Sequence, residues 1–402
     1  MDRSHYKIFS KGAIAGMTVP NRFVRSATWD PCILAAGRMT EEVLDIYRDL
    51  ALGGAGLVIS GGLPVYRQRF PEEDPGRPVR LYADLRVAGV ERMAQVVHEA
   101  SPECKIVAQL EVGYLEAGPS AMATPFSSEL VRALAADEIE QIIACFVDAI
   151  ADMQDSGFDG VQLHAAHGGL LSRFLSPYSN RRDDEWGRAA EGRTRIVREI
   201  IAGARKRVRD FPILIKMNCT DCLVGGVDIE SFPALAHEIV QASVDAIEIS
   251  GGMWECLFRS KAELGFRPVP APESHTRIGR SEQQSYFLAY AEQIDVPVPI
   301  ILVGGNRDVE RLEAIVQGGN VDFVALCRPL IREPNLPNRW RAGTGGRLPE
   351  CVSCNSCLYA MIVHPGRPEP CPVTCVCKSD KKQYRMAQKW LITWKESQGK
   401  FT

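Results

Sequence analysis

The chain has 402 residues, and its 47 basic and 50 acidic side chains leave a formal net charge of −3. This near balance of charge argues against a nucleic-acid-binding protein, which would carry a basic excess. The longest uncharged stretch, Ala51 to Tyr66, contains five glycines and Pro64, which excludes a transmembrane helix there. Because the first residues, MDRSHYKIFSKG, lack the apolar core of a signal peptide, we expect a cytoplasmic protein without nucleic-acid or membrane partners.

Short β-branched runs recur along the chain, and most are followed by a segment with helical periodicity. The runs cover residues 21–27, 55–62, 105–111, 159–165, 212–218, 245–252, 299–305 and 322–328. The predicted helices are Glu41–Leu52, Val87–Glu99, Asp137–Asp155, Arg193–Arg209, Phe232–Gln241, Glu282–Gln293 and Val309–Gln317. Eight apolar strands that alternate with helices predict an α/β fold of the (β/α)8 TIM-barrel type. A doubly wound sheet is the alternative, but NRFVRSATWD lacks its glycine-rich phosphate turn.

Composition divides the chain into two parts near residue 340. We expect residues 1–340 to form the barrel and residues 341–402 to form a short cysteine-rich C-terminal extension, which begins with the linker RAGTGGR. Six of the thirteen cysteines crowd into this extension, at Cys351, Cys354, Cys357, Cys371, Cys375 and Cys377. In a chain without a secretion signal, such clustering favours a metal or redox role over disulfides.

The last residues predict a basic helix. Tyr384, Ala387, Leu391 and Trp394 fall on one helical face. We expect this helix to pack on the barrel or on a second subunit of a homo-oligomer; a membrane-surface helix is the less favoured alternative.

Polar residues and glycines stand at the carboxyl ends of all eight predicted strands. They are Ser26-Ala27-Thr28, Gly61-Gly62, Gln109, His164 with His167, Lys216 with Asn218, Ser250-Gly251-Gly252, Gly304-Gly305-Asn306 and Cys327-Arg328. A barrel carries its chemistry at this end. The pattern therefore predicts one large ligand site.

The last two strand ends suggest a phosphate site. Gly304 and Gly305 would let backbone N–H groups approach an anion, Arg328 would supply a guanidinium fork, and the Asn306–Asp308 segment would open a helix with its positive end toward the phosphate. Two tight turns and a surface arginine are the structural alternative.

Two other positions have several interpretations. His164 and His167 could be N–H donors to one substrate oxygen, a zinc-binding pair, or structural histidines. Lys216 could form a Schiff base, as in a class I aldolase, or could stabilise negative charge on a cofactor.

The stretch DSGFDGVQLHAAHGGLLSRFLSPYSNRRDDEWG, residues 155–187, closely resembles the signature of the old yellow enzyme family. NRFVRSAT, VAQL, ILIKMN, IEISGG, LVGGN and VALCRPLIREPNL extend the resemblance over about residues 7–340. The resemblance implies a single-barrel NADH:flavin oxidoreductase, or ene-reductase, with FMN at the carboxyl face of the barrel.

By this resemblance, each predicted mouth residue has a role. The isoalloxazine ring would contact Ser26, Ala27, Thr28, Gly62 and Gln109. Lys216 stands where the family usually has arginine, near the flavin N1/O2 edge, which replaces the Schiff-base interpretation. The phosphate would be held by Gly304, Gly305, Cys327 and Arg328.

The implied reaction is a two-step hydride transfer. NADH or NADPH reduces FMN and leaves, and a small-molecule alkene conjugated to a carbonyl then occupies the same face. His164 and His167 hold the carbonyl oxygen, so that hydride reaches the β-carbon. A Schiff-base lyase and a flavin-binding protein without turnover are the rival functions.

The chain departs from the family at Gly169, where a tyrosine usually gives a proton to the substrate α-carbon. Water, Tyr114 or another loop residue would have to replace it, or the substrate needs no acid. If proton delivery limits the oxidative half-reaction, Gly169→Tyr should speed it.

The cysteine cluster resembles the 4Fe-4S segment of the bacterial 2,4-dienoyl-CoA reductase branch, but one interval is a residue shorter. That branch also carries a flavin- and nicotinamide-binding extension, for which we expect this chain to be too short. Three alternatives therefore stay open: an iron–sulfur cluster, zinc, and thiols without metal or with a local disulfide. No metal ligand is assigned among Cys351, Cys354, Cys357 and Cys371.

Overall fold

The structure is a computed structural model. It describes residues 2–30, 39–65, 67–68, 81–82, 88–112, 117–124, 127–266, 271, 273–279, 281–358 and 373–398. Tyr114 and Cys371, which figure in the predictions above, lie outside these ranges, as does the side chain of Trp394. Within them, no helix has both the length and the apolar character that crossing a bilayer requires.

Eight parallel strands close into a barrel, which confirms the predicted fold. The strands are β1 Phe23–Arg25, β2 Leu57–Ile59, β3 Lys105–Glu111, β4 Gly160–Ala165, β5 Ile213–Thr220, β6 Ala246–Gly251, β7 Ile300–Leu302 and β8 Phe323–Leu326. Each strand pairs with its neighbours in sequence, and β8 pairs with β1 to close the ring. Seven of the eight predicted runs contain the whole observed strand, and β5 extends two residues beyond its predicted run of 212–218.

Helices on the outside connect the strands. They are α1 Glu41–Leu52, α2 Val90–Ala100, α3 Ala136–Asp155, α4 Ala189–Arg205, α5 Phe232–Gln241, α6 Leu288–Ala291, α7 Val309–Gly318 and α8 Leu336–Arg341. The apolar side of each long helix is buried, as in α1, where Val43, Leu44 and Leu50 are buried. The exposed sides carry the charged residues that the periodicity predicts.

Smaller elements complete the chain. The short strands are Gly12–Ile14, Met17–Val19, Leu63–Pro64, Arg67–Gln68, Leu81–Tyr82, Ala117–Gly118, Met122–Thr124 and Ser127–Ala133. The short helices are Lys7–Phe9, Leu170–Leu175, Trp254–Phe258, Lys261–Leu264, Ser281–Gln283, Arg328–Arg332 and Val376–Ser379, and the tail helix is Lys381–Gln398.

An apolar plug fills the amino-terminal end of the barrel. The hairpin of Gly12–Ile14 and Met17–Val19 places Ile14 and Val19 in one buried cluster with the strand residues Val24, Leu57 and Phe323. Buried apolar packing of this kind is the main stabilising contribution in a large domain. Because this end is filled, the barrel keeps its polar chemistry at the opposite, carboxyl end.

The predicted helix Glu282–Gln293 is wrong in its first half. The chain forms a 3-10 turn at Ser281–Gln283 and becomes α-helical only at Leu288. Between them Ser285 has a positive φ of 52°, and the backbone N–H of Tyr286 bonds to the carbonyl of Gly304 at 3.0 Å. A long-range hydrogen bond therefore replaces the local helical one and turns Tyr286 toward the carboxyl end of the barrel.

The tail helix packs on the cysteine-bearing segment. Ala387 is fully buried, and the Gln388 side chain donates hydrogen bonds to the Ser356 hydroxyl at 2.7 Å and to the Cys354 carbonyl at 3.3 Å. Of the predicted apolar face, Ala387 is thus the residue that is buried within the same chain. Association with a second subunit stays a prediction.

Candidate active site

A cavity of about 610 Å³ opens at the carboxyl ends of the strands. This volume lies in the usual range for sites that hold a cofactor or substrate. Eleven of the twelve predicted site residues line it: Ser26, Ala27, Gly62, Gln109, His164, His167, Lys216, Gly304, Gly305, Cys327 and Arg328. Thr28 is absent from the wall; its hydroxyl contacts Arg25 and lies 3.1 Å from the Cys327 sulfur.

A chain of hydrogen bonds crosses the floor of the cavity. The Gln109 amide donates to Gln162 at 2.7 Å, and Gln162 donates to the Glu248 carboxylate at 2.8 Å. The other carboxylate oxygen accepts from the Ser26 hydroxyl at 2.5 Å and lies 3.2 Å from the Lys216 ammonium, which also bonds Ser26 at 3.0 Å. All five side chains are buried. The network fixes the residues predicted to face a flavin ring.

Sequence reasoning missed Glu248 and Gln162, although a signal was present. Glu248 is a lone acid inside the apolar strand β6, and a buried charge needs a partner of opposite sign. In the register of the sheet, Lys216 on β5 pairs directly with Glu248. A lone acid on one strand and a lone lysine on the next could therefore have been predicted to form an ion pair.

The two histidines of the HAAHG motif lie at the end of β4. Their ring centroids are 5.2 Å apart. His167 is held by a 2.7 Å contact from its Nε2 to the Ser250 hydroxyl, and its backbone N–H bonds to Asn218. His164 Nδ1 is buried without a hydrogen-bond partner among the described residues. One imidazole is anchored, and the other lines the cavity and has one buried nitrogen without a described partner.

Burial keeps both imidazoles neutral. Loss of solvent, with the nearby Lys216 charge, lowers the pKa of His164 to about 3 and that of His167 well below its usual value. A neutral imidazole has one N–H and one bare nitrogen. Each ring can therefore donate one hydrogen bond to a ligand oxygen without bringing a charge into the site.

Glu111 is a carboxyl group in the cavity wall that sequence reasoning did not single out. It is the last residue of β3, and its carboxyl group fills the space above Gly62, where a β-carbon would collide with it. Burial raises the pKa of Glu111 to about 7. Close packing therefore requires the nearby glycine, and burial favours the protonated form of the acid.

The opposite end of the cavity is cationic. Gly304 and Gly305 have positive φ values of 110° and 75°, and a β-carbon on either would meet the Tyr286 ring. The guanidinium groups of Arg307 and Arg328 line the same end. Two cations beside a glycine turn form a site suited to a phosphate group. Arg307 was part of the predicted segment but was not assigned to the site.

The amino-terminal end of α7, predicted to attract an anion, is capped by the carboxylate of Asp308. The Asp308 carboxylate caps α7 by accepting the Glu310 N–H at 3.1 Å, and it also pairs with Arg347 at 3.1 Å. The expectation that this positive helix end faces a phosphate is therefore not met, because a side chain of the chain itself occupies it. The arginines carry the positive charge of the site.

The extension takes part in the cationic end. Ser353 and Leu358 line the cavity. Arg307 donates to the Ser353 hydroxyl and Arg328 to the Asn355 amide oxygen, while Asn355 donates to the Ser274 carbonyl at 2.8 Å. The segment around 353–358 therefore positions both arginines.

Five cysteines of the extension surround a second, much smaller space beside Arg328 and Arg332. They are Cys351, Cys354, Cys357, Cys375 and Cys377, and all are free thiols. Across the described ranges, no three or more Cys, His, Asp or Glu side chains are arranged to hold a metal ion. Cys371, the fourth candidate ligand named from the sequence, lies outside these ranges, so the iron–sulfur, zinc and metal-free alternatives stay predictions.

Comparison with known proteins gives the following matches. A family model described as NADH:flavin oxidoreductase / NADH oxidase matches residues 7–345. An NADH oxidase of Thermoanaerobacter brockii is 31% identical over 363 residues, covering 87% of this chain and 52% of that protein. An NADPH dehydrogenase of Bacillus subtilis is 30% identical over 340 residues, covering 82% of this chain and 92% of that protein.

Solved structures agree in fold. The old yellow enzyme homologue of Zymomonas mobilis superposes with a TM-score of 0.64 at 21% identity, covering 85% of this chain and 94% of that one. The chain therefore spans nearly the whole of some relatives and about half of the Thermoanaerobacter protein.

Proposed function

The chain belongs to the NADH:flavin oxidoreductase / NADH oxidase family, and we propose that it uses FMN to move hydride from NADH or NADPH to an activated alkene, such as an α,β-unsaturated carbonyl compound. The family match confirms the resemblance to the old yellow enzymes that the HAAHG region indicated.

The residues of the cavity fit FMN. Gln109, Lys216 and Ser26 supply polar groups from a fixed network on one side, and Arg307 and Arg328 supply cations at the far end. This separation matches a molecule with a flat polar ring and a terminal phosphate. When bound, FMN accepts and delivers hydride, a reaction that protein side chains do not perform.

The observation that carries the alkene proposal is the neutral histidine pair. His167 is oriented by Ser250, and His164 keeps a buried nitrogen without a partner among the described residues. Two imidazole N–H groups that converge on a carbonyl oxygen stabilise the negative charge that develops there when hydride adds to the β-carbon. The buried site makes those hydrogen bonds stronger than in water.

A Schiff-base lyase receives less support. Such an enzyme needs the lysine amine directed at the substrate, whereas the Lys216 ammonium is ion-paired with Glu248 and bonded to Ser26. A non-catalytic flavin protein is a separate alternative, which turnover measurements distinguish.

We also propose that the chain divides at the bounds expected from the sequence. Residues 1–340 form the FMN barrel and residues 341–402 an extension. The contacts of Ser353 with Arg307 and of Asn355 with Arg328 support a role for the extension in holding the phosphate.

The test begins with the purified protein. We expect a flavin spectrum, release of FMN on heating, and NADH- or NADPH-dependent conversion of cyclohex-2-enone to the saturated ketone without oxygen. A colourless protein that cannot be reconstituted with FMN would contradict the proposal. Trapping of a substrate on Lys216 by borohydride would favour the lyase.

A further inference from the structure

We infer that Glu111 is the acid that protonates the alkene α-carbon, the carbon next to the carbonyl group. This inference rests on the proposed alkene reduction and adds a catalytic residue to it. It follows from the position of the carboxyl group and from the proton that the reaction requires. It also follows from the lack of any hydrogen bond or ion pair to that carboxyl group among the described residues.

The reaction requires a proton as well as a hydride. Addition of hydride at the β-carbon breaks the C=C π bond and leaves an electron pair shared by the α-carbon and the carbonyl oxygen. The O–H bond of Glu111 then breaks as the new C–H bond forms at the α-carbon. Water returns a proton to the carboxylate, so that the residue is restored after each turnover.

Position is the first argument. Glu111 ends β3, which pairs with β4 in the register Leu110 to Leu163, so that Glu111 and His164 leave neighbouring strands at the same level. Both side chains line the cavity. An acid at this place stands on the strand next to that of the histidine proposed to hold the carbonyl oxygen, and its carboxyl group lies over Gly62 in the same cavity.

Gly169 strengthens the positional argument. A β-carbon at Gly169 would stand 3.3 Å from the Val112 carbonyl and 3.7 Å from the His164 ring. The position at which the family usually carries a tyrosine therefore adjoins the residue that follows Glu111. Glycine leaves that position without a side chain.

Protonation is the second argument. Among the described residues, no hydrogen bond or ion pair holds the Glu111 carboxyl group, and burial alone raises its pKa to about 7. His164 and His167, the titratable groups on the adjoining β4 end, are neutral, and the Lys216 charge is paired with Glu248. The acid therefore carries a proton in much of the protein at neutral pH, as proton donation requires.

The same cavity holds a second carboxyl group that provides a matched control. Glu273 also has a raised pKa because of burial, and its Oε2 has no partner among the described residues. Its backbone carbonyl accepts the Tyr286 hydroxyl at 2.8 Å, which places it toward the cationic end, away from β3 and β4. Loss of this acid should not change the side from which the α-carbon is protonated.

The experiment compares Glu111→Gln and Glu273→Gln holoenzymes with the wild type. Each is reduced by NADH or NADPH and then mixed anaerobically with 2-methylcyclohex-2-enone, whose α-carbon becomes a stereocentre. We expect Glu111→Gln to slow flavin reoxidation by about 10²–10⁴-fold and to lower the enantiomeric excess at that carbon. Glu273→Gln should keep the wild-type enantiomeric excess.

Two further measurements make the test independent of turnover and of folding. Infrared difference spectra of the oxidised wild-type holoenzyme should contain a protonated-carboxyl band that titrates near pH 7 and is missing in Glu111→Gln. In the Glu111→Gln background, Gly169→Tyr should restore reoxidation at least tenfold, because a phenol then enters the same space.

The outcomes separate the two proposals. An unchanged rate and enantiomeric excess in Glu111→Gln, or the same infrared titration in that variant, would overturn the role of Glu111 alone. A wild-type protein that reduces no alkene would overturn the proposed function, and the role of Glu111 with it.

Discussion

The Lys216 ammonium lies 3.2 Å from the Glu248 carboxylate, and both side chains are buried at the centre of the barrel mouth. The pair sits between β5 and β6 at directly opposed positions. Ser26 bonds to both partners, so that β1 is attached to the same group. One ion pair therefore fixes the first, fifth and sixth strands at the floor of the proposed flavin site.

Glu248→Gln is expected to destabilise the protein. The amide keeps the size of the side chain but leaves Lys216 as a buried charge without its counter-ion, which costs about 3–5 kcal/mol. The midpoint of urea unfolding of the FMN-free protein measures the loss.

The double variant Lys216→Met, Glu248→Gln is the control. It removes both charges, so at least half of the lost stability should return. A Glu248→Gln protein as stable as the wild type would show that the ion pair contributes nothing net.

The histidine pair predicts a pH dependence of stability. Unfolded imidazoles gain protons as the pH falls below about 6.5, whereas His164 in the folded protein resists protonation down to about pH 3 and His167 also has a strongly lowered pKa. The unfolded state then binds more protons, so the free energy of unfolding decreases as the pH falls through this interval.

Comparison with His164→Asn isolates this contribution. Between about pH 7 and pH 5, the free energy of unfolding measured with urea should fall less in the variant than in the wild type. The reason is that the variant takes up fewer protons on unfolding. Parallel curves for the two proteins would mean that His164 takes up its proton over the same pH range in the folded and unfolded states.

Arg307→Met is expected to weaken FMN binding through the phosphate. A hydrogen bond to a charged group contributes about 1.5–3 kcal/mol, which corresponds to an increase in the Kd of FMN of roughly 10–150-fold. Fluorescence titration of the FMN-free protein gives the Kd. Riboflavin, which has no phosphate, is the matched ligand and should bind both proteins equally; an equal loss for both flavins would place Arg307 elsewhere.

Asn355→Leu tests the contribution of the extension. The substitution removes the hydrogen bond to the Ser274 carbonyl and the contact with Arg328. Among the described residues, Arg328 then keeps only its hydrogen bond to the His275 carbonyl at 2.7 Å, and the Kd of FMN should rise about tenfold, as for one lost hydrogen bond. Val352→Ala changes an exposed side chain of the same segment and should leave the Kd unchanged. If both variants bind FMN with the same Kd, the extension does not contribute to FMN binding.

Much of the barrel could be predicted because its signals are local. Each strand is a short apolar run with polar residues or glycines at its carboxyl end, and helices such as Glu41–Leu52 have the predicted bounds. The helix predicted over Glu282–Gln293 was wrong in its first half because the Tyr286 N–H bonds to Gly304, a partner eighteen residues away that periodicity does not reveal.

The missing site residues depend on contacts between distant parts of the chain. Glu111 was visible as the end of a strand, but its raised pKa arises from burial beside Gly62, which follows the neighbouring strand β2. The role of Arg307 depends on Ser353, which lies beyond the barrel in sequence. Only Glu248 could have been found from pattern alone, as a lone acid in an apolar strand opposite Lys216.

Anaerobic stopped-flow spectroscopy of the FMN-loaded protein tests the central claim most directly. The account predicts that NADH or NADPH bleaches the flavin absorbance and that cyclohex-2-enone, mixed next, restores it with formation of one equivalent of cyclohexanone. A flavin that is reduced but is reoxidised by no enone would contradict the account and would favour a flavin protein without this turnover.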